Sequence, residues 1–90
     1  MKILCVCGMG FGSSLMLKMT VDKVIQKKGI DAETDATDIG TAGSIACDLI
    51  LTNNEFASQL EGGQAEVRAV LNMASEDEVG KAIDDYLASK

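Results

Sequence analysis

Lys2-Ile3-Leu4-Cys5-Val6 runs directly into Cys7-Gly8-Met9-Gly10-Phe11-Gly12-Ser13-Ser14, and the change of pattern between these two stretches decides the fold. The first is a continuous β-forming apolar run behind one lysine, the signature of a strand buried on both faces of a parallel sheet. Gly8, Gly10 and Gly12 then break the strand. From Ser13 onward Leu17, Val21, Val24 and Ile25 recur at helical spacing and form one apolar stripe, with Ser13 or Ser14 placed to cap the helix. Lys27, Lys28 and Gly29 suit the other end: cations on the negative pole of the helix dipole, and a glycine for the left-handed turn that stops it.

Working outward, residues Ile30 to Ile39 alternate Asp31, Glu33 and Asp35 with Ala32, Thr34 and Ala36. One face is charged and the other small, as in an edge strand protected from further pairing. Gly40 to Ala46 is a small-residue connection with room for one helical turn. Asp48 to Thr52 reads as another buried strand, followed by a short helix capped by Asn53 or Asn54, running through Phe56 and Leu60 and ended by Gly62-Gly63. Residues Ala65 to Leu71 predict a fourth strand with Val67, Ala69 and Leu71 on one face. Ser75-Glu76-Asp77-Glu78 is a capping box that opens a last helix carrying Val79, Ile83, Tyr86 and Leu87. Strands alternating with helices call for an α/β fold: a small doubly wound, four-stranded parallel sheet with helices on both faces. With the acidic strand at an edge and the first and third strands central, the order is 2-1-3-4. The order reverses between strands 1 and 3, which puts the ligand crevice at the carboxyl end of strand 1, where Cys7 and the glycines are.

Ninety residues make one domain, 1–90, and rule out activities that need two lobes. The chain has no histidine, proline or tryptophan and a single arginine, Arg68. Histidine-dependent triads, histidine metal sites and histidine phosphorylation are therefore excluded within it. The net charge of −6 argues against nucleic acid and anionic lipid as partners. That charge is split: residues 1–28 carry five lysines against Asp22 alone, net +4, and the remainder is net −10. The opening apolar stretch is too short for a signal peptide, so a cytoplasmic protein with no membrane insertion is expected. Cys5, Cys7 and Cys47 offer neither a disulfide framework nor a Cys-x-x-Cys pair.

The chemistry concentrates in Cys7 to Ser14. Backbone N–H groups turned inward by the glycines meet the positive end of a helix dipole, and together they cradle a phosphoryl dianion. The Ser13 and Ser14 hydroxyls add donors. The same field favours the Cys7 thiolate over the thiol, so nucleophile and oxyanion cradle share one loop of Cys7, Gly8, Met9, Gly10, Phe11, Gly12, Ser13 and Ser14. The dinucleotide pattern would need glycine where Ser13 stands, and no Gly-Lys-Ser/Thr of a P-loop occurs. A small cysteine-dependent phosphatase of low-molecular-weight type places an arginine six positions beyond its cysteine, again Ser13 here, so the bidentate clamp is missing. That phosphatase and a non-catalytic anion-binding regulatory module remain the alternatives. Amides and the helix end supply the positive potential, so neither metal nor cofactor is expected.

Cys-Gly-x-Gly-x-Gly-Ser-Ser-x-x-x-Lys-Met, Cys7 through Met19, resembles the enzyme IIB components of the bacterial phosphoenolpyruvate-dependent sugar phosphotransferase system. The likeness is nearest the ascorbate branch, with the galactitol and lactose–cellobiose branches more distant. It implies a phosphotransferase in which Cys7 accepts a phosphoryl group from a phosphohistidine of a IIA protein. The group then passes to a sugar or polyol held by the membrane permease IIC. The absent histidine fits, since the donor imidazole belongs to the partner. A start at Met1 and a capped last helix lead to the expectation of a free-standing subunit.

Several residues have plainer readings. Cys5 and Cys47 are expected as small buried hydrophobes and Met16 and Met19 as core. Lys18 is expected to pair with Asp22 one turn on. Met9 and Phe11 either tuck onto the domain or form an apolar rim facing the partners.

Overall fold

The computed structural model describes residues 1–7, 11–42, 44–60, 65–72 and 74–89. Along the chain run β1 (Lys2–Cys7), α1 (Phe11–Lys28), β2 (Glu33–Asp38), α2 (Ile39–Ala42), β3 (Leu49–Thr52), α3 (Asn54–Leu60), β4 (Glu66–Ala69) and α4 (Glu76–Ala88). The four strands form one sheet in the order β2-β1-β3-β4, and every pair is parallel. Both the alternation and the strand order expected from the sequence are found.

The sheet is double-faced because β1 from Ile3 to Val6 and β3 from Leu49 to Leu51 are apolar and buried on both faces. Ile3, Cys5, Leu49 and Leu51 pack with Leu17, Val21 and Val24 of α1 and Val79, Ile83 and Tyr86 of α4. Leu4, Val6 and Ile50 pack on the opposite side with Ala42 of α2, and Leu60 of α3 and Val67 of β4 join them there. The acidic strand β2 lies at an edge with Glu33, Asp35 and Asp38 exposed.

The glycine stop of α1 is built as its sequence implies. Gly29 has φ +69, its N–H donates to the Gln26 carbonyl at 3.4 Å, and the Ile30 N–H donates to the Ile25 carbonyl at 2.9 Å. These two bonds are the pair of a Schellman motif, which needs the left-handed residue that glycine adopts without strain. A Cβ at Gly29 would meet nothing within 4 Å, so Gly29→Ala carries a backbone penalty alone. It is expected to lower unfolding free energy by about 1 kcal/mol, read from the urea midpoint at unchanged slope.

Five expectations are corrected. First, α1 begins at Phe11, so Ser13 and Ser14 lie inside its first turn and are not its cap. Glycine and phenylalanine cost little there because first-turn N–H groups have no helical acceptors to lose. Second, Met16 and Met19 are exposed rather than core. Met19 stands about 200° around the helix from Leu17 and Met16 about 100°, off the buried stripe. Third, β4 ends at Ala69, Val70 turns into the core, and Leu71 is exposed instead of sharing a face with Val67. The Val70 N–H donates to the Thr52 carbonyl at 2.7 Å as the chain leaves the sheet. Fourth, the capping box is half made. Ser75 Oγ accepts from the Glu78 N–H at 3.2 Å, but the Glu78 carboxylate accepts from Leu71 N and from Asn72 N (2.9 Å), while the Ser75 N–H goes to the Asn72 carbonyl. Glu78 thereby fastens the β4–α4 connection to the start of α4. Fifth, Cys47 is half-buried against the α2/α3 side of the sheet, whereas Cys5 is fully buried.

Asn53, rather than Asn54, caps α3: its Oδ1 accepts from the Phe56 N–H at 2.9 Å. The ending of that helix at Gly62-Gly63 lies outside the described residues.

Candidate functional site

Cys7 is the last residue of β1, and the strand ladders explain why a crevice opens there. On one side β1 stays paired with β2 to its end, Cys7 opposite Asp38. On the other side its pairing with β3 stops at Cys5 opposite Leu51. β3 itself continues alongside β4 through Thr52 opposite Ala69. The two central strands thus separate just ahead of Cys7, at the point where the strand order reverses, and this is the place where open parallel sheets bind ligands.

The separation is held by Thr52. Its hydroxyl, fully buried, donates to the Val6 carbonyl at 2.9 Å, replacing the ladder bond lost as the backbones diverge. A threonine ending an otherwise aliphatic strand, Leu49-Ile50-Leu51-Thr52, was the available sequence signal for this tie. Thr52→Val keeps the shape and leaves the Val6 carbonyl without its buried donor. A stability loss of about 1–3 kcal/mol is expected, with Thr52→Ser losing clearly less in the same chemical denaturation measurement.

Of the sequence-singled residues, Cys7 stands at this opening, Gly8, Met9 and Gly10 lie outside the described residues, and Phe11, Gly12, Ser13 and Ser14 form the first turn of α1. The N–H groups of Phe11, Gly12 and Ser13 have no acceptor within a helix that starts there, and the positive end of the dipole coincides with them.

The two other thiols are poor nucleophiles. Burial, reinforced by Asp22, pushes the Cys5 thiol up to about 12. Burial and then Asp48 raise Cys47. Lys18, considered for phosphate binding, is committed elsewhere. Its Nζ lies 3.1 Å from Asp22 Oδ2, and Asp22 also accepts from the Thr34 hydroxyl. This expected i,i+4 pair lies within α1, and the Thr34 hydroxyl's bond to Asp22 ties the helix to β2. Arg68 is in β4 and reaches Glu66 at 2.6 Å.

Fold and crevice together define a small doubly wound α/β domain with one thiol at the switch point of its sheet. A family model described as "PTS system, Lactose/Cellobiose specific IIB subunit" matches residues 2–85. The ascorbate-specific PTS system EIIB component of Mycoplasma pneumoniae is 27% identical over 90 residues, spanning 97% of this chain and 95% of that protein. The component of the same name from Salmonella typhimurium is 33% identical over 82 residues, 88% of this chain and 81% of the relative. The lactose-specific IIB domain of Streptococcus pneumoniae superimposes with a TM-score of 0.63 at 19% identity, covering 98% of this chain and 95% of that one, a likeness of fold.

The chain belongs to the IIB subunit family of the phosphotransferase system. It is accordingly a phosphotransferase, a phosphocarrier in sugar uptake. No helix among the described residues is long and apolar enough to cross a membrane.

Proposed function

We propose that Cys7 is the residue that carries the phosphoryl group, accepting it from a phosphohistidine of a cytoplasmic IIA protein and passing it to a sugar or polyol held by a membrane IIC permease. The observation that carries this reading is the position of Cys7: the last residue of β1, beyond the point where the pairing of β1 with β3 ends and shortly before α1 in the chain. The absence of any histidine supports it from the other side, since the donor imidazole then has to come from a partner.

In the first half-reaction the Cys7 thiolate attacks phosphorus in line with the leaving imidazole nitrogen. The S–P bond forms as the N–P bond breaks, and the imidazole departs with its electron pair. In the second, a substrate hydroxyl attacks the phosphocysteine, its proton is released, the O–P bond forms, and Cys7 returns as thiolate. Both steps pass through a loose, metaphosphate-like transition state whose charge sits on three equatorial oxygens. Backbone amides from Gly8 to Ser14 are the groups proposed to meet that charge, with the Ser13 and Ser14 hydroxyls adding to them. Charge neutralisation by fixed N–H dipoles requires no metal or cofactor.

The names of the Mycoplasma and Salmonella relatives make the ascorbate branch the first choice of partners. The test is incubation with phosphoenolpyruvate, the general phosphotransferase proteins and IIA proteins of the ascorbate, lactose and galactitol branches, followed by peptide mapping. One phosphoryl group on the peptide holding Cys7 is the expected result. Label on another residue, or none with any IIA, refutes the assignment.

A further inference from the structure

The end of β1 is held by a strand ladder on one side only. Cys7 pairs with Asp38 of β2, whereas the pairing of β1 with β3 has already stopped at Cys5. The Thr52 hydroxyl supplies the other side by donating to the Val6 carbonyl at 2.9 Å. That carbonyl belongs to the peptide unit shared by Val6 and Cys7, which is planar and trans, so a bond to its oxygen also fixes the backbone at Cys7. The donor is itself anchored. Thr52 pairs with Ala69 of β4, and its own carbonyl accepts from the Val70 N–H at 2.7 Å. Val6, Thr52 and Val70 are all fully buried, so water does not reach the Val6 carbonyl to take the hydroxyl's place. Packing alone asks for valine at position 52, which has the same shape and no hydroxyl to desolvate.

We propose that Thr52 is a positioning residue for phosphoryl transfer, one that sets through the Val6 carbonyl where Cys7 stands relative to the start of α1. The inference rests on the reading of Cys7 as phosphoryl acceptor. In-line transfer from an imidazole nitrogen to sulfur leaves the protein little covalent chemistry to supply and depends on placement, and a displacement of about 1 Å costs such a reaction up to about a hundredfold. A tie to β2 alone fixes that placement less well. β2 is an edge strand, bonded to the sheet on one side, whereas β3 is central and every residue of it is buried. The bond to Thr52 therefore extends the rigidity of the core to the last residue of β1. Because a side chain makes it, the two backbones stay apart where a continued ladder would close the gap between them.

The test is single-turnover transfer from phosphorylated IIA to Thr52→Val and Thr52→Ser over a range of IIA concentrations, beside the alkylation of Cys7 by iodoacetamide and the urea midpoint of each protein. Ile83→Val, which removes a buried methyl group from α4, serves as a variant of lowered stability with the hydroxyl intact. Thr52→Val is expected to lower the maximal rate about tenfold or more, with half-saturating IIA and alkylation unchanged. A small diffusing reagent follows the thiol wherever it stands, and a docked donor does not. Thr52→Ser stays close to wild type, and Ile83→Val matches it. Thr52→Ala read against Thr52→Ser, a pair that differs by the hydroxyl alone, carries the same test if the valine variant does not fold. An unchanged maximal rate in Thr52→Val overturns the proposal. So does serine as slow as valine, a fall that Ile83→Val shares, or a fall matched by slower alkylation, which marks a change in the thiol itself. A rise in half-saturating IIA at full maximal rate also overturns it and assigns Thr52 to donor binding. Wild-type protein that no IIA phosphorylates, or that carries the label elsewhere than on Cys7, refutes the acceptor reading and this inference with it. Label on Cys7 with equal rates in all variants refutes this inference alone.

Discussion

Cys7→Ala is expected to reduce phosphoryl acceptance from phosphorylated IIA by at least about a thousandfold, the scale seen when a nucleophile is deleted, while Cys5→Ala and Cys47→Ala remain competent. The contrast follows from the three thiol environments. Cys5 is sealed between β2 and β3 under α1, and its thiol is pushed up to about 12, so at pH 8 only on the order of one molecule in ten thousand carries the thiolate there. Cys47 is half-buried and raised by burial and by Asp48. Cys7 alone of the three ends a strand at the opening of the sheet, shortly before a helix start. Because burial raises both Cys5 and Cys47, iodoacetamide labelling with peptide mapping is expected to modify Cys7 ahead of either of them. Label on Cys47 ahead of Cys7 would contradict the assignment. A competent Cys7→Ala protein would exclude it outright.

What makes the fold legible is the contrast between neighbouring segments. β1 and β3 are centred on apolar runs, Ile3 to Val6 and Leu49 to Leu51, β2 alternates acids with small residues, and each chemistry dictates a place: centre for the first two, edge for the third. The order 2-1-3-4 follows, and with it the crevice. The start of α1 is less legible because two serines offer a plausible cap, while Phe11 and Gly12 carry no helix signal of their own. First-turn geometry tolerates both. For Met16 and Met19, residue type points to the core and angular position points away from it. The stripe of Leu17, Val21, Val24 and Ile25 already excludes them, and giving the angle precedence reveals the exposed apolar face. Glu78 illustrates another limit. Ser75-Glu76-Asp77-Glu78 specifies a local reciprocal bond, but two free N–H groups, Leu71 and Asn72, compete for the carboxylate once the chain turns off β4, and tertiary geometry decides the contest.

Ser13→Arg tests what separates a carrier from a phosphatase on this scaffold. Position 13 is six residues beyond Cys7, in the first turn of α1 at the positive end of its dipole. An arginine there supplies a planar fork whose paired N–H groups fit two equatorial oxygens of the in-line transition state, a match a neutral serine hydroxyl cannot make. Charge alone does not predict faster hydrolysis. The phosphocysteine is already a dianion, and stabilising it equally with the transition state leaves the rate unchanged. Only an interaction that strengthens as the phosphoryl group flattens accelerates attack by water. Well-placed arginines contribute about a thousandfold or more to phosphoryl transfer. An arginine set into a site not shaped around it is expected to shorten the lifetime of the phosphorylated protein by about tenfold or more, with Ser13→Lys, which adds the charge without the fork, shortening it clearly less. The decisive measurement is loss of label from isolated phosphorylated protein, taken with the urea midpoint of each variant to establish that α1 is intact. Release of free phosphate from an aryl phosphate by Ser13→Arg alone is the corollary. Equal lifetimes for wild type and Ser13→Arg, at equal stability, would mean that slow discharge rests on exclusion of water from Cys7 and not on the residue at position 13.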